Sequence, residues 1–197
     1  MKKRVYIDKE HEVMTYFYDL CEICNDETVD FVKKELRKLK LIEKDPDFLD
    51  SYLFLYEILV EEGSEEGAEE LLNEAYERAI KMITDEKGNW SDVLEWDVLE
   101  NRHIIRAILN KALYEWDKGN EDKAIDLFRK LLKTNPCDNV GARFYILAIR
   151  MHLSLDEFQK RFDKGGYYDD KLNEWFYENY HKFPDEFADW EKEIEKF

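Results

Sequence analysis

The chain has 197 residues, of which 44% are hydrophobic, 15% aromatic and 39% charged, so it can bury a core and is not a disordered polyelectrolyte. A net charge of -17 argues against nucleic acid or an anionic membrane as partner, and no apolar run approaches the roughly 18 residues of a membrane span. Only 3 Pro and 7 Gly punctuate the periodic segments, which predicts an all-α protein.

Residues 1–9 are a charged lead. Met1-Lys2-Lys3-Arg4 resembles the start of a signal peptide, but Asp8, Lys9 and Glu10 interrupt any apolar core, so a cytoplasmic protein is expected. From about Glu10 to Cys24 the apolar spacing is helical. Cys21-x-x-Cys24 lies in that run without a second Cys pair or a preceding strand, and reads as core thiols rather than a redox or zinc site. Asp26 is a candidate cap for a second helix carrying Val29, Val32, Leu36, Leu39 and Ile42, which stops at Asp45-Pro46. Its Lys33-Lys34 and Arg37-Lys38 are expected to be solvated or paired with acids.

Asp47 is a candidate cap for a third helix that runs to Gly63-Ser64. Ala68-x3-Leu72 and Ala75 follow on a fourth helix reaching about Ile83, with Tyr56 where a close helix crossing favours a small residue. Asp85 to Ser91 is a loop, and Asp92 to Leu99 reads as a short turn packing Trp90 and Trp96. Ile105 to Pro136 holds two antiparallel helices joined at Lys118-Gly119-Asn120 and stopped by Asn135-Pro136. After Pro136, Asp138 or Asn139 caps a helix through about His152. Leu153-Ser154 turns the chain into a short helix with Leu155, Phe158 and Phe162, ended by Gly165-Gly166. Two last helices, about 169–181 and 184–196, carry Trp175, Phe176, Tyr180, Phe183, Phe187 and Trp190, with Phe197 beyond them. They are expected to cover an open apolar end, with dimerisation as the alternative.

Ala124-x3-Phe128 with Pro136 eight residues on resembles the tetratricopeptide repeat (TPR), a 34-residue helix-turn-helix unit. The first helix departs from it, with Lys111, Ala112 and Glu115 where the repeat favours Leu-Gly and Tyr. LIEKDPDFLDSYLFLYEIL from Leu41, WDVLENRHIIRAI from Trp96 and KLLKTNPCDNVGARFYIL from Lys130 are similar to bacterial and archaeal TPR-like proteins of unassigned function, which tend to read NPNDNQGVRYLL in the last segment. The resemblance implies an all-α, right-handed array of antiparallel hairpins. It would form one domain over 1–197, with hairpins over about 10–162 and capping helices over 167–197. It also implies a non-catalytic protein- or peptide-binding module without cofactor or metal, as monomer or weak homodimer. The first helices would line a concave face carrying Arg106, Asn110, Leu113, Trp116, Arg143, Leu147 and Arg150. Three arginines there would suit an acidic segment or a C-terminal carboxylate, or would pair internally.

One enzyme reading competes. Glu100-x-x-His103 and Glu178-x-x-His181 each place a carboxylate and an imidazole one helical turn apart, as di-iron bundles do. An acid-rich chain produces such pairs by chance, so the binding module is preferred.

Overall fold

The structure is a computed structural model and describes residues 3–25, 27–165 and 167–195. The described residues are all-helical, with no named strand among them. They divide into two compact units where the sequence reads as one domain. The first unit takes in Val5–Ser91 and Trp96–Ile108; the second takes in the described residues within Met1–Arg4, Asp92–Glu95 and Leu109–Phe197.

The first unit begins with an extended segment leading into α1 (Glu12–Glu22), then α2 (Val29–Leu39), α3 (Leu41–Lys44), α4 (Asp50–Glu61) and α5 (Glu65–Ile83). Val13, Met14 and Phe17 of α1 share a core with Val32 and Leu36 of α2, Leu41 of α3 and Phe48. Spacings of three and four residues put each helix's apolar side chains on one face. The expected second helix is interrupted: Lys40 adopts φ 49°, ψ 49°, which separates α2 from α3. The expected cap Asp26 lies outside the described residues. Asp47 does not cap α4. Asp45 instead folds a turn by accepting from the Asp47 N–H at 3.2 Å, and α4 starts three residues later than Asp47.

α4 and α5 form an antiparallel hairpin. Ala68, Leu72, Ala75, Ala79 and Ile83 make a buried stripe along α5, and its three alanines leave room for close packing although Tyr56 of α4 is bulky. The turn is a Schellman motif: the Ser64 N–H donates to Leu59 O at 2.8 Å and the Gly63 N–H to Val60 O at 3.1 Å. Gly63 sits at φ 75°, a conformation costly for a residue with a Cβ.

Helix α6 (Arg102–Asp117) gives residues to both units, after a 3-10 turn at Leu99–Asn101. The helical turn expected over 92–99 is therefore displaced to that position. In the second unit α6 is followed by α7 (Glu121–Thr134), α8 (Ala142–Arg150), α9 (Leu155–Phe162), α10 (Lys171–Asn179) and α11 (Pro184–Ile194), with a 3-10 turn at Tyr180–Lys182. The α6–α7 turn repeats the earlier geometry: Asn120 N–H to Glu115 O is 2.8 Å, Gly119 N–H to Trp116 O is 2.9 Å, and Gly119 has φ 78°. The α8–α9 turn repeats it again, with Leu153 N–H to Ala148 O at 3.0 Å and His152 N–H to Ile149 O at 2.9 Å. Here a histidine, at φ 58°, holds the left-handed position. Ser154 then starts α9 with a capping box shared with Glu157.

Aromatic rings bind the second unit together. Phe128 and Trp116 join α7 to α6, Tyr145 and Phe158 join α8 to α9, and Trp175 packs on Phe162 with centroids 5.1 Å apart. Phe176 meets Phe144, Phe187 and Trp190 at 5.3–5.7 Å. Trp175, Phe176 and Phe187 are buried, so much of the C-terminal aromatic load closes this unit's own core. Gly166 and Phe197 lie outside the described residues. Asp138 does not cap α8 from the adjacent position. Gly141 occupies it at φ 74°, and the Asp138 carboxylate reaches forward to the N–H groups of Ala142 at 2.7 Å and Arg143 at 3.1 Å.

Candidate functional site

Of the residues expected on a concave face, Arg106 belongs to the first unit and the other six to the second. Trp116 and Leu147 are buried, at 3% and 0% exposure, and serve the core. Asn110 and Leu113 are half-buried on α6.

Each arginine has acidic partners within its own unit. Arg106 grips Asp50 through Nε, which donates to Oδ1 at 2.9 Å, and through Nη2, which donates to Oδ2. Nη2 also donates to the Tyr18 hydroxyl at 2.6 Å, and that hydroxyl donates to Asp50 Oδ2 at 2.8 Å, closing a triangle. Arg143 donates to Asp138 at 2.8 Å and lies 4.1 Å from the centre of the Phe144 ring. Burial pushes the Asp138 carboxyl up to about 6, against the pull of Arg143 and the two backbone N–H groups. Arg150 reaches Asp185 at 2.7 Å and also Glu186, which Arg129 binds as well. Lys111 and Glu115, two of the three departures from the repeat pattern, form a buried pair at 2.7 Å, and Asn120 donates to the second Glu115 oxygen. On the basic face of α2, Lys33 pairs with Glu61, Arg37 with Glu62 and Lys38 with Glu35.

The cysteines correct a second expectation. Cys21 and Cys24 are free and exposed rather than core thiols, and Cys137 is likewise free and exposed. Local desolvation, then the charge of Asp50, pushes the Cys21 thiol up to about 11, so it is an unreactive thiol near neutral pH.

The two Glu-x-x-His pairs fall in different units, Glu100 and His103 in the first and Glu178 and His181 in the second. Glu178 and His181 are exposed, and His103 joins a buried cluster in the first unit, with Asp8 and Leu49 as its hydrogen-bond partners. The Asp8 Oδ2 atom lies 2.9 Å from His103 Nε2 and 3.1 Å from His11 Nε2. His11 Nδ1 lies 2.8 Å from Asp45 Oδ2. The Tyr6 hydroxyl donates to Asp8 Oδ1 at 3.1 Å. Both imidazoles are fully buried, with ring centroids 4.9 Å apart. Burial opposes charge on Asp8, but hydrogen bonds from His103 and His11 prevail and hold its carboxyl well below the usual range. Burial likewise disfavours a charged His11, yet its bonds to Asp8 and Asp45 prevail and raise its pKa.

Asp8, His11 and His103 are ligand types that suit a transition metal, and their donor atoms all lie within 4.8 Å of one another. The proton pattern argues against that use. The Leu49 N–H, at the start of α4, donates to His103 Nδ1 at 3.1 Å. The ring proton therefore sits on Nε2, which donates to Asp8 and has no lone pair for a metal. His103 caps α4 across 54 positions of sequence, a role that no local pattern reveals. Asp8 and His11 stand three residues apart, and that spacing is the one local signal for the cluster.

No protein-family model, curated protein or solved structure matches the chain. No helix among the described residues is long and apolar enough to cross a membrane.

Proposed function

We propose that the chain is a non-catalytic, TPR-like protein-binding module that receives a peptide segment on first helices of its hairpins. The observation that carries the reading is the recurrent turn: residues 59–64, 115–120 and 148–153 close with the same pair of hydrogen bonds. The last two left-handed residues, Gly119 and His152, stand 33 positions apart (152 − 119), close to the roughly 34-residue TPR period. Ala68 and Ala124 are both buried, five residues beyond Gly63 and Gly119, where a small side chain permits a tight crossing. Such units present side chains on a rigid frame, and their usual work is recognition rather than chemistry. The partner need not be acidic, because Arg106, Arg143 and Arg150 already hold carboxylates. Of the residues expected on the concave face, Asn110 and Leu113 are the half-buried ones on the first helix of the second unit.

Affinity capture with the full chain from its native cells tests the proposal, with Leu113→Glu run beside the wild type. The expected result is a reproducible partner that binds the purified wild type and is lost with Leu113→Glu, while helical content stays unchanged. A capture indifferent to that substitution, or a catalytic turnover by the purified chain, overturns it.

A further inference from the structure

His11 is the last residue before α1, and its ring is 1% exposed. Three elements face it with titratable groups. The N-terminal segment supplies Asp8, the turn ahead of α4 supplies Asp45, and α6 supplies the edge of His103. Phe48 covers another side, with centroids 5.6 Å apart. Farther out, Tyr6 donates to Asp8, and Asp47 pairs with Arg78 at 3.3 Å.

Counting hydrogens fixes the state of this ring. His103 spends its single proton on Asp8 because its other nitrogen accepts from Leu49. His11 has a carboxylate oxygen opposite each nitrogen, so both hydrogen bonds exist only when both nitrogens carry protons. A neutral His11 would turn one lone pair toward a carboxylate oxygen about 3 Å away in a buried site, losing a bond and setting two electron-rich atoms against each other.

The other ties in this region do not titrate in the same way. The Asp8 N–H donates to Asn101 Oδ1 at 3.0 Å, and Asn101 Nδ2 donates to the Tyr6 carbonyl at 3.1 Å. These hold residues 6–8 to the start of α6 whatever the state of His11. The two His11 bonds are different: together they join residue 8, the start of α1 and the α3–α4 turn, and both exist only while the ring carries two protons. We propose that His11 is a proton-operated clasp: doubly protonated, it fastens the N-terminal segment and the start of α1 to the turn ahead of α4, and losing one proton opens that fastening. The clasp is closed in mildly acidic to neutral solution and loosens as the solution becomes alkaline. It makes the first unit's N-terminal edge responsive to pH independently of what the module binds.

Nitrogen-15 NMR of the histidine rings in the full chain tests this, together with amide hydrogen exchange. His152 and His181 are exposed and serve as internal references. Both His11 nitrogens should carry protons at about pH 6.5, and His11 should titrate at higher pH than the two references. Protection factors of amides in residues 8–15 should fall about tenfold or more as His11 titrates, while those in α5 hold steady. Asp45→Asn should move the His11 midpoint and the loss of protection together to lower pH. The wild-type measurement decides the matter even if that variant folds poorly. A His11 that titrates with or below the references, or protection that stays flat through its titration, overturns the proposal. So does a shift of the His11 and His103 resonances by stoichiometric zinc, which would show that the cluster takes a cation rather than a proton.

Discussion

Replacing Arg106 with Met keeps most of the side chain's apolar stem and removes its charge from a pair that is unevenly buried. The Asp50 side chain is 5% exposed and that of Arg106 29%. Without the guanidinium, Asp50 keeps only the Tyr18 hydroxyl as a side-chain donor among the described residues. Removing one partner of a buried ion pair costs about 3–5 kcal/mol, because the other charge stays behind unpaired. The partial exposure of Arg106 places the expected loss near the lower end, about 3 kcal/mol. For a chain of this size that lowers the melting temperature by about 6–12 °C. Urea titration should show the same loss as a lower midpoint with an unchanged slope. Arg106→Met combined with Asp50→Asn should cost less than the two singles summed, since the second change removes the stranded charge. A melting temperature that moves by less than about 2 °C would refute the structural role and return Arg106 to the list of ligand contacts.

Phe128→Ala should destabilise the second unit by about 3–5 kcal/mol, measured by urea unfolding, because the ring is fully buried between Trp116 and Tyr145. Stability should also fall as pH rises from about 6 toward 9. The sign follows from His11: its folded pKa is raised, so its contribution is complete below the ordinary histidine range and is lost as pH climbs through the folded value. Asp138, raised to about 6, adds a loss of the same sign between the ordinary carboxylate range and that value. Asp8, lowered, contributes stability above the carboxylate range that is lost only on strong acidification. Denaturation midpoints across that range check this, and a rise in stability from pH 6 to 9 contradicts the assignment of His11.

The hairpins were legible because local chemistry decides them. Gly63 and Gly119 have the left-handed backbone that glycine supplies cheaply, and Ala68 and Ala124 stand where their helices need small residues. The break at Lys40 was not legible, since lysine does not advertise a positive φ. The third turn is legible at Leu153-Ser154, but its pivot is His152, which carries no such signal. Of the two candidate caps for α8, it is Asp138 whose carboxylate takes the first N–H groups, from four and five residues ahead, a reach that the sequence does not show. The candidate surface suffered from the same limit. Helical spacing places Trp116 and Leu147 on first helices, but it does not tell whether a given face meets solvent or the next helix. The histidine cluster draws on positions 8, 11, 45 and 103, so only the fold assembles it. The local Glu100–His103 spacing was a misleading signal, because His103 spends both nitrogens on Asp8 and Leu49.

Amide hydrogen exchange on the full chain, with and without the partner recovered by affinity capture, tests the binding proposal most directly. The account predicts added protection centred on the second half of α6 and on α8, the first helices of the second unit's hairpins. α5 and the exposed face of α7 should stay unchanged. Protection confined to those second helices, or to the loop at residues 85–91, would contradict the account.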